Sequence, residues 1–260
     1  MTGSRTGLCV AVMVLTALMT AGCGGPGAVS PAPSVLPGTP AGSAVASSTP
    51  STPAPPVVSS SPASPSSRSP ASAALRPGSH GADVLALQQR LVALGYWLGT
   101  PDGSYGSATT HAVTAFQKTA GLSRDGTAGS AVLAALDRAT RSAPRSAVGC
   151  TVEVDLTRQV LLLAVDGRVQ WVFDTSTGRV PGTTPTGHFT VLRQVDGYDQ
   201  GPLGVLYRPK YFNGGVAIHG YPSVPPYPAS HGCVRVTDAA IDWLWTNNAL
   251  PLGQPVWVYQ

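Results

Sequence analysis

The sequence predicts an α+β chain of two folded parts, a small three-helix bundle domain followed by a β-rich domain with one short helix near its end. Three observations predict it. Between residues 75 and 140 apolar residues recur at helical spacing. From Thr151 onward they alternate or run in short blocks punctuated by turn residues. Ahead of both, Pro, Ser, Ala, Thr and Gly replace almost everything else, and the chain's 25 Pro and 30 Gly are more than a compact domain carries throughout its 260 residues.

The first 23 residues read as a targeting segment. Arg5 supplies a positive start, and Leu8 to Met19 is an apolar run too short to span a bilayer comfortably. It ends in Thr20-Ala21-Gly22-Cys23, which resembles a bacterial lipobox apart from Thr20 in place of the usual Leu. That resemblance implies cleavage and lipidation at Cys23, so the expectation is export and a lipid anchor on the outer face of the cytoplasmic membrane. Residues 24–74 carry Arg68 as their one charged residue and lack aromatics. Such a stretch cannot bury enough apolar surface to offset its ordering entropy, so a disordered linker is expected. As a coil of about fifty residues it would span roughly 40 Å, and as a polyproline rod ~150 Å at most.

Residues 75–140 form the helical domain. Val84, Leu87, Leu91 and Leu94 mark a first helix that Gly95 stops. Val113 and Phe116 lie on a second helix, Ser107 to Ala120, and Val132, Leu133 and Leu136 on a third. There is a weak internal echo: Asp102-Gly103 and Asp125-Gly126 each form a turn ahead of a helix. Tyr96, Trp97 and Tyr105 cluster near these turns, where they would either face a ligand or cap the small core. His80 and His111 have no acidic or thiol partner at ligand spacing, so both are read as surface residues and no metal site is expected.

Residues 148–260 form the β-rich domain. Val152, Val154 and Leu156 alternate, Val160 to Val165 runs into an Asp166-Gly167 hairpin, and Val169 to Phe173 is the partner strand. Further strands are expected at His188–Leu192, near Leu206–Phe212, and at Val216–His219 after an Asn213-Gly214 turn. The helix falls at about Asp238–Asn247 with Thr237 as N-cap. Cys150 reads as a small apolar residue opening the first strand.

The chemistry concentrates in Ser230-His231-Gly232-Cys233-Val234-Arg235. A thiol attacks as its thiolate, so Cys233 needs a base or a positive charge nearby. His231, two residues before it, and His219, at a strand end, are both available. Pro222, Pro225, Pro226 and Pro228 stiffen the loop between them. Gly220 and Gly232 relieve crowding beside the reactive groups, and the backbone N–H groups of Gly232 and Cys233 are candidates to stabilise an oxyanion. In an extended segment Arg235 projects to the same side as Cys233, where it would favour the thiolate or bind a carboxylate.

Two families are resembled. Val84 to Leu91, Leu94-Gly95-Tyr96, Asp102-Gly103 and Ala112 to Gln117 are similar to the peptidoglycan-binding type 1 domain, which implies binding of wall glycan or stem peptide. His219-Gly220, the Pro-rich loop and Ser230-His231-Gly232-Cys233-x-Arg235 resemble the L,D-transpeptidase catalytic domain of the YkuD type. Val154 to Val160 and Thr184 to Phe189 match the same family's pattern. The resemblance implies Cys233 as nucleophile and His219 as general base, oriented by the Gly220 carbonyl. It implies that Ser230, His231 and Gly232 shape the oxyanion side and that Arg235 supports the site. The implied reaction is acyl transfer between peptidoglycan stem peptides through a Cys233 thioester, with release of D-alanine, 3→3 cross-links and no cofactor. Localisation in the cell wall follows, with no obligate protein partner.

Competing readings are an L,D-carboxypeptidase that uses the same acyl-enzyme and a non-enzymatic wall-binding lipoprotein. A papain-like peptidase is disfavoured, because its His lies far downstream of its Cys. The net charge of +4 is spread along the chain with no basic run interleaved with aromatics, so no nucleic-acid partner is expected.

Overall fold

The computed structural model describes residues 74–201 and 204–260. The targeting segment, Cys23 and the linker up to residue 73 lie outside the described residues. In chain order the elements are α1 (Ala82–Ala93), α2 (Ser107–Ala120), α3 (Ser130–Arg138), β1 (Cys150–Asp155), β2 (Val160–Val165), β3 (Arg168–Asp174), β4 (Gly187–Thr190), β5 (Arg193–Gln194), β6 (Tyr198–Gly201), β7 (Gly204–Asn213), β8 (Val216–Gly220), β9 (Val234–Val236), α4 (Asp238–Thr246) and β10 (Pro255–Tyr259). None of the described helices is long and apolar enough to cross a membrane.

The helical part follows its apolar periodicity. Val84, Leu87 and Leu91 of α1 are buried, as are Val113 and Phe116 of α2. Gly121 closes α2 in the left-handed conformation that glycine adopts without strain. The internal echo is structural. Buried Gln88 accepts from the N–H groups of Asp102 and Gly103 at 2.9 and 2.8 Å, and its amide donates to Asp102 Oδ1 at 2.9 Å. Gln117 does the same one repeat later, accepting from Gly126 N–H at 2.8 Å and donating to Asp125 Oδ1 at 2.7 Å. Each Asp-Gly turn is thus pinned to the helix before it by one amide side chain. Tyr96 and Tyr105 are 3% and 2% exposed and belong to the core. Tyr105 donates to the Gly126 carbonyl, and Tyr96 packs edge-on against Phe116. The capping alternative holds for these two.

The β-rich part has two sheets. One has the order β3-β2-β1-β10-β4, and the other β5-β7-β8-β9 with β6 also on β7. Val152, Val154, Leu161 and Leu163 of the first sheet pack against Phe212, Ile218, Val234 and Val236 of the second, with Ile241 and Leu244 of α4. Thr237 caps α4 as expected, accepting from Ala240 N–H at 3.1 Å. The Asp166-Gly167 hairpin has both residues at positive φ, as a two-residue turn of this kind requires. Cys150 opens β1 and packs against the core.

The two parts share a core. Val160 and Leu162 of β2 and Val169 and Val172 of β3 fall in one apolar cluster with Leu91, Phe116 and Leu136. The first sheet is therefore covered on both faces at β2, which explains why Val160 to Val165 is a continuous apolar run rather than an alternating one. Trp97 leaves the helical part to pack on Phe173 and Trp243, with ring centroids 5.6 and 6.4 Å away. The backbone joins as well: Trp97 N–H donates to the Val172 carbonyl at 3.0 Å, and Val172 N–H to that of Gly95 at 2.7 Å. His80 is exposed as expected. His111 corrects its surface assignment, because its Nδ1 lies 2.6 Å from Asp174 Oδ2 and its side chain is 21% exposed. The partner carboxylate sits 63 residues away in sequence, so no local spacing announces it.

Candidate active site

The site lies on the outward face of β8 and β9. These strands run parallel, with Ile218 opposite Val234 and His219 opposite Arg235. Ile218, Val234 and Val236 point into the core. Strand alternation then sends His219, Cys233 and Arg235 to the other face, bringing together three residues that the sequence separates by up to sixteen positions. The Pro-rich loop between His219 and Cys233 makes the return, and a parallel register fixes it.

His219 is 2% exposed, and its Nδ1 lies 2.7 Å from the Gly220 carbonyl. A carbonyl only accepts, so Nδ1 carries the proton and the neutral ring keeps its lone pair on Nε2. Burial lowers the imidazole pKa to about 4, with the nearby Arg235 charge adding to the fall and the Gly220 carbonyl opposing it. Cys233 is partly buried, with Sγ 3.7 Å from the Gly215 carbonyl. Burial raises its thiol pKa, against weaker lowering by the Ala217 backbone and Arg235. Both shifts favour a neutral thiol and a neutral imidazole at rest. Arg235 alone does not produce the thiolate.

The loop carrying Cys233 is held from several sides. Ser230 Oγ donates to the Cys233 carbonyl at 2.6 Å and accepts from Gly232 N–H at 3.0 Å. The Gly232 N–H is thereby occupied, which leaves the Cys233 N–H as the candidate oxyanion donor of the pair. Thr184 Oγ1 donates to the Gly232 carbonyl at 2.7 Å and accepts from Gly178 N–H at 2.8 Å. Gly232 has φ of 142°, and a Cβ there would lie 2.6 Å from the Thr183 carbonyl oxygen, so close approach and conformation both demand glycine. At Gly220 the demand is packing alone: a Cβ would come within 2.7 Å of Asp238, Ile241 and Tyr207 atoms.

Arg235 stacks its guanidinium over the Tyr221 ring, 4.0 Å from the centroid, and that ring stands edge-on to His219. Its Nε is buried without a hydrogen-bond partner among the described residues. His231 is exposed. Tyr211 is 5% exposed and donates to Asp199 at 2.8 Å. Sequence reasoning gave no role to Thr175, Thr177 or Thr184. Their partners lie up to sixty positions away, and a loop threonine carries no local signal of that.

Residues 151–258 match the L,D-transpeptidase catalytic domain family (YkuD), and residues 80–136 match a peptidoglycan binding domain. The crystal structure of the L,D-transpeptidase from Xylanimonas cellulosilytica is similar at 49% identity and a TM-score of 0.68, covering 71% of this chain and 96% of that one. Two N-acetylmuramoyl-L-alanine amidases of Bacillus licheniformis, one of them CwlL, are 46% and 47% identical over 71 and 64 residues. Those matches span only 20% and 18% of the amidases' own lengths. With a relative at this identity matched over nearly its whole length, the chain belongs to the L,D-transpeptidase family.

Proposed function

We propose that the chain is an exported peptidoglycan L,D-transpeptidase that works through a Cys233 thioester and forms 3→3 cross-links. The observation that carries this reading is the place of Cys233, just ahead of β9 and on the same face of the β8–β9 pair as His219, whose imidazole is held by the Gly220 carbonyl with Nε2 left as acceptor. As Sγ attacks the carbonyl of the L-centre of the third stem residue, its proton passes to His219 Nε2. The Cys233 N–H steadies the oxyanion. The carbon–nitrogen bond to the terminal D-alanine then breaks, and His219 returns the proton to the leaving amine. The side-chain amine of a second stem attacks the thioester, gives its proton to His219, and releases Sγ, which recovers the proton as the thiol.

Burial keeps His219 neutral at physiological pH, as a general base must be. Arg235, a partly exposed guanidinium near Cys233 in sequence, is suited to a substrate carboxylate. The lipobox-like end at Cys23 supports anchoring at the outer membrane face, and the linker supports reach into the wall. Binding of wall material by the helical domain would raise local stem concentration.

The test incubates the chain, and a Cys233→Ala variant, with a disaccharide-tetrapeptide and analyses products by mass spectrometry. Cross-linked dimer with loss of D-alanine, absent in the variant, is the expected result. Tripeptide without dimer would replace the reading with an L,D-carboxypeptidase. No D-alanine release from the tetrapeptide would overturn it.

A further inference from the structure

We propose that Lys118, on the helical domain, is a positioning residue for Cys233: its ammonium ties together two hydrogen-bond arms that grip the chain on either side of the nucleophile. The inference rests on Cys233 being the reactive thiol.

An ammonium has three protons to donate, and Lys118 places all of them across the domain boundary. Its Nζ donates to the Gln159 carbonyl at 3.0 Å, to Asp174 Oδ1 at 2.6 Å and to the Thr175 carbonyl at 2.7 Å. The side chain is fully buried at the end of α2, so each of these bonds forms without competing water. His111, a turn and more earlier on the same helix, binds the other oxygen of Asp174 at 2.6 Å. One helix therefore holds both oxygens of that carboxylate.

The first arm leaves from Thr175. Its Oγ1 donates to the Arg235 carbonyl at 2.6 Å, and the adjacent Ser176 pairs with Arg235 through both backbone groups at 3.1 and 2.9 Å. Arg235 is two residues past Cys233. The second arm leaves from Gln159, whose φ of 60° is an unusual conformation for a side-chain-bearing residue. Its amide donates to Thr177 Oγ1 at 2.7 Å and accepts from Thr177 N–H at 2.9 Å. The Thr177 carbonyl in turn accepts from Ala229 and Ser230, both at 2.9 Å. Ser230 Oγ then holds Gly232 and Cys233. Lys118 bonds to the root of both arms and reinforces their direct contact, in which Thr175 N–H donates to the Gln159 carbonyl at 3.3 Å. A domain expected only to bind wall material thus sets the geometry of the nucleophile.

The test uses the full chain and two unrelated perturbations. Lys118→Met keeps most of the volume and removes the three bonds, whereas Thr175→Val removes only the Oγ1 bond to Arg235 and Thr175→Ser restores it. Alkylation of Cys233 by iodoacetamide is followed on its own peptide by mass spectrometry, beside kcat and KM for D-alanine release from the tetrapeptide. In folded Lys118→Met and Thr175→Val, alkylation and kcat should both fall by about tenfold to a hundredfold, with KM little changed and Thr175→Ser near the parent. A purely structural Lys118 would lower the melting temperature and leave the rates of the folded variants unchanged, and that result overturns the inference. Should Lys118→Met not fold, the Val and Ser pair decides. Alkylation slowed in the variants, with a parent that releases no D-alanine, would sink the transpeptidase reading while the positioning stands. Cys233-dependent D-alanine release with unaffected variants would do the reverse.

Discussion

At the scale of residues, burial disfavours the charged forms of both Cys233 and His219. Burial acts on Cys233 and His219 in opposite senses, raising the thiol and lowering the imidazole to about 4. Two consequences follow. The rate of Cys233 alkylation should rise with pH through the neutral and into the alkaline range, and a plateau extending down to acid pH would point to a resting thiolate. His219→Ala should slow D-alanine release by about a hundredfold or more, whereas His231→Ala, at an exposed position, should change it little; steady-state kinetics on the two variants separate the candidates that the sequence left open. The same histidine affects stability. Its folded pKa of about 4 lies below the ordinary 6.5, so the unfolded chain binds more protons between those values. Stability should therefore be full above about pH 6.5 and fall as pH drops towards 4, which chemical denaturation across that window measures. Cys233 was legible in its own motif, whereas His219 and the Gly220 carbonyl were assigned through the family resemblance rather than through spacing. The occupation of the Gly232 N–H by Ser230 was not legible, since two oxygens and two amides in one turn admit several pairings.

Among the elements, those with strong periodicity were legible and those defined by distant partners were not. The three helices of residues 75–140, the β2–β3 hairpin and α4 all lie where spacing and turn chemistry put them. The sequence reading passed over β10, although it lies between β1 and β4 in its sheet. It is five residues long, opens on Pro255, and pairs in parallel with a strand about a hundred positions earlier. β9 has three residues, too few for alternation to register. Its parallel pairing with β8 is nevertheless what aligns Arg235 with His219. Gly220 shows how tightly α4 closes on that strand. Gly220→Ala puts a methyl within 2.7 Å of atoms from Asp238, Ile241 and Tyr207. These side chains must give way, and the cost should be about 1–3 kcal/mol by thermal or denaturant unfolding. An unchanged melting temperature would mean that they yield freely.

For the whole molecule, the sequence presents two domains and a linker, while the structure joins the folded parts through one core. Trp97, Val172 and the Lys118–Asp174 pair give the boundary apolar, backbone and ionic contacts together. The sequence offered no role for Lys118. Nothing within its own helix reveals a carboxylate 56 positions away. The folded region should consequently melt in one calorimetric transition, with helical and tertiary signals coinciding; two resolved transitions would contradict a shared core. Breaking the buried pair with Lys118→Met should cost about 3–5 kcal/mol, because an unpaired carboxylate is left inside.

The measurement that bears most directly on the central claim is the mass of the enzyme itself during turnover. The chain would be mixed with disaccharide-tetrapeptide, quenched in acid within seconds, and its peptides mapped by mass spectrometry. A disaccharide-tripeptide acyl group on the Cys233 peptide, accompanied by free D-alanine and absent from Cys233→Ala, is the predicted result. D-alanine released while Cys233 remains unmodified, or released equally by the Cys233→Ala variant, would contradict it.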